Sequence, residues 1–338
     1  MRLNKNGTVK RPLRKRIGIF LAHVALAILA FIWLIPIFWV VLTSFRGTKG
    51  AYSSTFFPTS YTLDNFIKLF TDFSVFNFPQ MLLNTLIIAV ANCLLSTFFV
   101  VSVAYTLSRL RFPSRKKIMS IAMVINLFPG FMSMIANYYI FKMLGWTNGP
   151  MLRVAMIAVY AGGAGVGYHI AKGFFDTIPI ALDEAAMLDG ATKFQVLLKI
   201  IMPLSKPIIV YTLLTSFAGP FKDFMLAKVL CGPNKAYFTV AVGMYQMLEQ
   251  EYIDQWFCSF AAAAVIISIP IAALFLATQK YYTVGVGGAV KGGVRQNKFV
   301  GVLRTGEAPS VFMKRKENEW RIYEDPELQK SPRYRLSG

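Results

Sequence analysis

Glu184-Ala185-Ala186, Asp189 and Gly190, followed by Ile200, Pro203 and Pro207, are the residues whose types and spacing could act on something outside the chain. The chemistry on offer is recognition rather than bond-making. A carboxylate beside two small residues provides an ionic anchor for a partner's Arg or Lys, on a surface low enough for close approach. Spacing alone fits equally well a surface helix packed on the ends of its own neighbours with Glu184 in water, because Glu-Ala-Ala is common in helices. Machinery for bond chemistry is missing from the sequence, which has no Gly-x-x-x-x-Gly-Lys-[Ser/Thr] phosphate loop and no metal-ligand cluster. His23 and His169 stand alone in apolar segments and read as hydrogen-bonded packing residues, not proton relays.

The local pattern around Glu184 is helix, turn, helix. Pro179 suits a first turn, Ala185 and Ala186 are strong helix formers, and Gly190 falls where a left-handed helix end belongs, giving a helix of about ten residues. Thr192-x-x-Gln195 then fits a capping box, and Val196, Leu197, Ile200 and Ile201 form an apolar stripe at helical spacing. Pro203 and Pro207 close the element.

What carries this element is a membrane protein. Among 338 residues, 55% are hydrophobic and only 15% charged, too apolar a balance for an ordinary soluble domain. A span needs roughly 20 mostly apolar residues, and six segments qualify: about 17–42, 81–107, 118–141, 151–171, 208–230 and 258–279. The expected fold is all-α, with six transmembrane helices. The first segment is uncharged, contains Pro36 and exceeds a signal peptide's apolar region, so it is expected to stay attached.

Cations set the orientation, since Lys and Arg near span ends stay cytoplasmic. The tail 1–16 carries Arg2, Lys5, Lys10, Arg11, Arg14, Lys15 and Arg16; Arg109, Arg111, Arg115, Lys116 and Lys117 follow the second span; Lys172, Lys193, Lys199 and Lys206 flank the polar element in the loop 173–207. The alternate loops are poorer, so both termini are expected in the cytoplasm. The formal charge of +20 is thereby spread over juxtamembrane segments facing the lipid bilayer and calls for no nucleic acid. Cys231 and Cys258 bracket the last external loop and could pair in an oxidising exterior, although free thiols are the preferred reading.

Glu184-Ala185-Ala186, Gly190 and Ile200-x-Met202-Pro203 resemble the EAA signature of the membrane subunits of bacterial ABC importers, with Met202 where that pattern usually has Leu. Phe174-Phe175-Asp176-Thr177-Ile178-Pro179, Tyr237 to Met244, Phe260 to Ala264 and Gly287 to Gly292 extend the resemblance, from about residue 15 to 292, to the smaller maltose/maltodextrin permease subunit. The resemblance implies a type I importer transmembrane domain over 17–292 in a bacterial plasma membrane. It also implies a second homologous permease subunit, two ATPase subunits that bind the ATP and Mg, and an extracytoplasmic sugar-binding protein. Glu184, Ala185, Ala186, Asp189, Gly190, Ile200 and Pro203 would be the ATPase-coupling residues; no cofactor would bind this chain. Maltodextrins lead as cargo, with galacto-, arabino- and fructo-oligosaccharides close behind. Family members usually end near the counterpart of Val290-Lys291-Gly292, so 293–338 reads as a cytoplasmic extension that is disordered or partner-bound.

Polar and kink-forming residues inside spans are costly against lipid and tend to face the bundle interior. The pathway candidates are therefore Asn126, Pro129, Gly130, Ser133 and Asn137 in the third span, Thr215, Ser216, Gly219 and Pro220 in the fifth, and Asn84 and Asn92 in the second. Glycines 162, 163, 165 and 167 read as close-packing positions. Lys222 and Asp223 read as an interface pair, and the aromatics of loop 43–80, from Tyr52 to Phe78, as interfacial anchors. An ion-coupled secondary transporter, the main alternative, would normally need an intramembrane acid, and a membrane enzyme would need convergent catalytic groups.

Overall fold

The computed structural model describes residues 13–51, 55–127, 130–163, 165–303, 311–316 and 319–324, with backbone only at 13–16, 126, 165–166 and from 282 onward. It divides into two compact units, Met1–Tyr281 and Tyr282–Gly338.

In the first unit, α1 (Leu13–Ser44), α2 (Asp64–Thr71) and α3 (Phe78–Arg109) are followed by α4 (Arg115–Asn126), α5 (Gly130–Met143), α6 (Met151–Gly162) and α7 (Gly165–Asp176). Next come α8 (Ile180–Leu188), α9 (Lys193–Val196), a π turn over Leu197–Ile201, α10 (Met202–Leu204), α11 (Lys206–Lys222), α12 (Met225–Cys231) and α13 (Val240–Gln246). The last helix, α14, starts at Ile253 and its backbone runs to Leu303. Among the described residues, four stretches are long and apolar enough to cross a membrane: Ile17–Ser44, Phe78–Arg109, Met151–Asp176 and Ile253–Tyr281. Two bent pairs bring the number to as many as six when each pair is counted as one span.

The bends correct the expectation of six plain helices. The third segment, 118–141, is not one rod, for α4 up to Ile125 and α5 meet at 97°. The sequence across this break contains Pro129, which has no main-chain NH to continue a helix. The fifth, 208–230, stops at Lys222 and restarts at Met225. Pro220 lies in the last turn of α11, Asp223 is extended, and its Oδ1 accepts the Leu226 NH at 3.1 Å, capping α12. The second bent pair joins the stretch Lys193–Leu204 to α11 at 81°.

The central post is α3, which packs against α6, α7, α11 and α13. Asn77 caps its start by accepting the Gln80 NH at 3.1 Å, and Pro79 occupies the first turn. Two apolar clusters form along it. One gathers Phe78, Ile88 and Cys93 of its first half with Leu152, Phe221, Val240 and Trp256; the other gathers Val100, Ala104 and Tyr105 with Phe175, Ala186, Val196 and Ile201. In lipid, apolar burial does little to drive helix association, so packing and interhelical hydrogen bonds must hold these contacts. The polar residues of α3 do this. Asn84 Nδ2 donates to Ala236 O and Phe238 O at 2.9 and 3.0 Å, while Arg153 donates to its Oδ1 through Nε and Nη2 at 3.0 and 2.7 Å. Asn92 Nδ2 donates to Ser216 O at 2.7 Å, and Thr85 Oγ1 accepts the Val240 NH at 2.9 Å.

By contrast α1 buries only Thr43 and Ser44 at its end among the described side chains, and nothing within its most apolar window. The loop 43–80 is no mere belt of anchors: it contains α2, and Phe76 and Phe78 are core residues, Phe76 meeting Trp256 edge-on at 5.0 Å. Phe56, Phe57, Tyr61 and Phe73 are exposed, and Tyr52 lies outside the described residues.

In the second unit, Val311–Lys316 (β1) and Glu319–Glu324 (β2) pair antiparallel with Lys316 opposite Glu319. The extension 293–338 therefore departs in its backbone from the disordered reading, and the fold is helical with one added hairpin. Val, Phe, Trp, Ile and Tyr at these positions are strand formers, a signal outweighed in the sequence by the charges around them.

Candidate functional site

The loop 173–207 folds from its sequence much as the caps dictate. Pro179 leads into α8, and the chain leaves it through Gly190 at φ +84°. The Gly190 NH bonds Met187 O at 3.0 Å and the Ala191 NH bonds Ala186 O at 2.9 Å, the paired bonds of a Schellman end. Thr192 and Gln195 then close the capping box, at 3.3 Å for the Gln195 NH on Thr192 Oγ1 and 3.0 Å for the return bond. Not legible beforehand is the π turn over Leu197–Ile201. It widens the helix just ahead of Pro203, whose ring would press on the Lys199 carbonyl in a regular α-turn.

The unforeseen part is how firmly the element is held. Arg109, at the end of α3, places Nε 3.0 Å from Asp183 Oδ2, and the two side chains are 5% and 7% exposed. Its Nη2 donates to Phe175 O and Ile178 O at 2.9 Å each, tying the end of α7 to the same cation. Tyr105 Oη donates to Lys193 O at 2.8 Å, and Ser108 Oγ to Asp176 Oδ1 at 2.6 Å, where Lys172 also reaches Asp176. Burial raises the Asp183 carboxyl above its usual range; Arg109 opposes this and Glu184 adds to it. Asp183 thus sits on the inward side of α8 and Glu184 on its outward side.

The predicted residues divide accordingly. Glu184, Ala185, Asp189 and Gly190 are exposed, with Pro203 also open; Ala186 is buried in the chain's own second cluster and Ile200 is half-buried against it. Ala186 therefore packs inward, and close approach from outside is left to Ala185. Beside Glu184 the element also exposes Met187, Leu188 (89%), Phe194 (66%) and Leu198. Together they make a mixed charged and apolar exposed surface on a polar loop. Leu188 and Phe194 carried no signal in the sequence except apolar type off the core stripe.

A second place of interest is a cavity of about 700 Å³ among α5, α6 and α12. Gly130, Ser133 and Asn137 line it. The Asn126 side chain and Pro129 lie outside the described residues. Thr215, Ser216 and Gly219 do not reach it. The Thr215 hydroxyl turns back on Tyr211 O at 2.9 Å, Ser216 O accepts from Asn92, and Gly219 faces that same Asn92. Ser216 and Gly219 thus lie against Asn92 of α3, while Thr215 is exposed and bonds within its own helix. Among the glycines, Gly167 fits close packing, since a Cβ there would come within 3.3 Å of Val100, whereas Gly162 and Gly163 open onto the cavity. Lys222 and Asp223 form no ion pair, and Asp223 lines the cavity instead. His23 Nδ1 bonds Ile19 O at 2.7 Å as expected, but the buried His169 Nε2 has no partner among the described residues. The three cysteines are free thiols, Cys231 bonding Tyr237 O and Cys258 bonding Thr48 O.

Four stretches of membrane length, two further bent pairs, and a helical element braced on α3 through Arg109 and Tyr105 define a polytopic membrane protein. Residues 101–284 match the family described as the binding-protein-dependent transport system inner membrane component, and the chain belongs to it. It is 31% identical over 281 residues to the galactooligosaccharides transport system permease protein GanQ of Bacillus subtilis, covering 82% of this chain and 98% of that protein. It is likewise 31% identical over 290 residues to the maltodextrin transport system permease protein MdxG of the same organism, covering 85% and 100%. A bacterial ABC transporter that imports the acidic polysaccharide alginate has the same fold, with a TM-score of 0.65, 22% identity, and coverage of 81% and 100%. The chain is thus a transport subunit of the inner membrane and not itself an ATPase.

Proposed function

We propose that the chain is one of two homologous membrane subunits of an ATP-driven ABC importer that brings maltodextrin or a related oligosaccharide into the cytoplasm. An extracytoplasmic sugar-binding protein delivers the cargo, and two ATPase subunits hold the ATP and Mg. The observation that carries this reading is the α8–α9 element: Glu184, Leu188 and Phe194 face outward while Asp183 and Ala186 lock inward. Relatives named for maltodextrin and galactooligosaccharide transport support the cargo class.

The mechanism follows from stiffness. ATP binding draws the ATPase pair together, and the docked element moves with its ATPase subunit. Arg109, Tyr105 and Ser108 pass that displacement to α3 and α7. The spans reorient about their breaks, so that the cavity faces outward and, after hydrolysis, inward. An ion-coupled transporter has no use for an exposed, rigidly braced docking element.

Glu184→Lys is expected to abolish retention of the ATPase subunits on purification while leaving membrane insertion unchanged. At an occluded contact, losing a charge partner and gaining repulsion costs about 2–5 kcal/mol. Normal ATPase retention and normal sugar-stimulated hydrolysis would return the element to the role of an ordinary surface helix.

Topology is a separate prediction, with both termini and residues 108–117 and 172–207 cytoplasmic and 43–80 and 231–257 outside. In a background with Cys93, Cys231 and Cys258 replaced, a cysteine at Thr192 should resist an impermeant thiol reagent in intact cells. Rapid labelling from outside would invert the assignment.

A further inference from the structure

The 81° bend that joins the stretch Lys193–Leu204 to α11 turns on a single residue, Ser205. It is fully buried, and its main chain closes one helix and opens the next. Its NH is shared between Ile201 O at 2.9 Å and Met202 O at 3.2 Å, while its carbonyl accepts the Ile208 and Ile209 NH groups at 3.1 Å each. The hydroxyl does nothing comparable. Ser205 stands at the N-cap of α11 without a side-chain cap, and its Oγ has no partner among the described residues. A buried hydroxyl without a bond is unfavourable. Pro203 and Pro207, two positions to either side, bring no main-chain NH into the joint. The π turn over Leu197–Ile201 lies directly upstream, and such turns cluster at functional sites.

We propose that Ser205 is the hinge of the coupling element and a positioning residue for transport, its hydroxyl held in reserve for the second state of the bend. This rests on the coupling role given to the α8–α9 element above and adds the joint through which its movement reaches α11. When the stretch swings against α11, the shared NH of Ser205 must leave one of its two carbonyls, because one donor serves two acceptors only in a narrow geometry. A buried carbonyl stripped of its donor is as unfavourable as a lost hydrogen bond. Beside two prolines, no neighbouring amide is placed to replace the lost donor. The Ser205 hydroxyl can do so, since a serine reaches the carbonyls three and four residues back by rotation about χ1, and these are Met202 O and Ile201 O. The present state leaves the hydroxyl idle and the second state employs it. Its removal therefore relieves the first state and raises the second.

The test is Ser205→Ala in the complete importer, reconstituted with its ATPase subunits and loaded binding protein. Thermal stability of the resting complex is expected to stay equal or rise, because an unbonded buried hydroxyl is deleted, while sugar-stimulated ATP hydrolysis falls about tenfold. Ser205→Cys, close in size and a weak donor, should fall in between. Spin labels at Lys199 and Thr215, exposed positions on the two limbs, are placed in a background with Cys93, Cys231 and Cys258 replaced. They should report different distances in the nucleotide-free and ATP-bound complexes, with the second distance depleted in Ser205→Ala. A less stable or unassembled Ser205→Ala complex overturns the inference, since the hydroxyl would then be bonded at rest. A distance that stays fixed through the cycle overturns it too. Wild-type hydrolysis in Ser205→Ala, with Glu184→Lys uncoupled, overturns this inference alone. Normal coupling in Glu184→Lys overturns the docking reading, and this inference with it.

Discussion

Arg109→Ala is expected to yield a chain that inserts in the membrane yet neither transports nor stimulates its ATPase when loaded binding protein is supplied. The guanidinium meets Asp183 and two carbonyls, Phe175 O and Ile178 O, so one substitution frees both ends of the α7–α8 junction. Removing one member of a buried ion pair strands the other, at a cost of about 3–5 kcal/mol. Asp183→Asn should hurt less, because the amide oxygen still faces Arg109 and the Phe175 and Ile178 carbonyls still hold the guanidinium. The measurement is sugar-stimulated ATP hydrolysis in the assembled complex, with thermal stability alongside. Wild-type coupling in Arg109→Ala would show that the element does not need α3 as its brace.

The second large effect is expected at Gly190. Its φ of +84° is a left-handed conformation, and a Cβ placed there would touch nothing within 4 Å, so the cost of substitution is purely one of backbone. The series is therefore ordered by left-handed tolerance: Asn mildest, Ala next, Val worst, with about 1–3 kcal/mol of local strain for an ill-suited residue. Strain of that size unwinds the Schellman end, and Leu188 and Phe194 lose their fixed separation across the turn. Transport should fall in the same order while insertion stays constant. If Gly190→Val transports as well as Gly190→Asn, the turn is not a coupling joint.

Local grammar made this turn readable. Pro179, Gly190, Thr192 and Gln195 act through bonds to residues no more than five positions away, and each does in the structure what its type implies. The six apolar segments were readable for the same reason, as length and composition are properties of a segment alone. What remained hidden depends on partners distant in sequence. Arg109 counted only as a topogenic cation because Asp183 lies 74 positions away, and the bonds of Asn84 and Asn92 were hidden because their carbonyl acceptors lie more than 120 positions away. Asp223 read as half of a surface pair, since nothing in its neighbourhood reveals the cavity among α5, α6 and α12. Breaks are intermediate: Pro129 and Pro220 are visible, but a proline announces a bend without its angle.

The second apolar cluster has an evolutionary consequence. It draws α8 and α9 into one core with α3 and α7, through Ala186, Val196 and Ile201, so the docking element cannot be exchanged as a cassette between lineages without dismantling the permease around it. On the docking role proposed above, adaptation to a different motor protein would fall on the solvent-side positions Glu184, Met187, Leu188, Phe194 and Leu198, because their inward neighbours are held by the core.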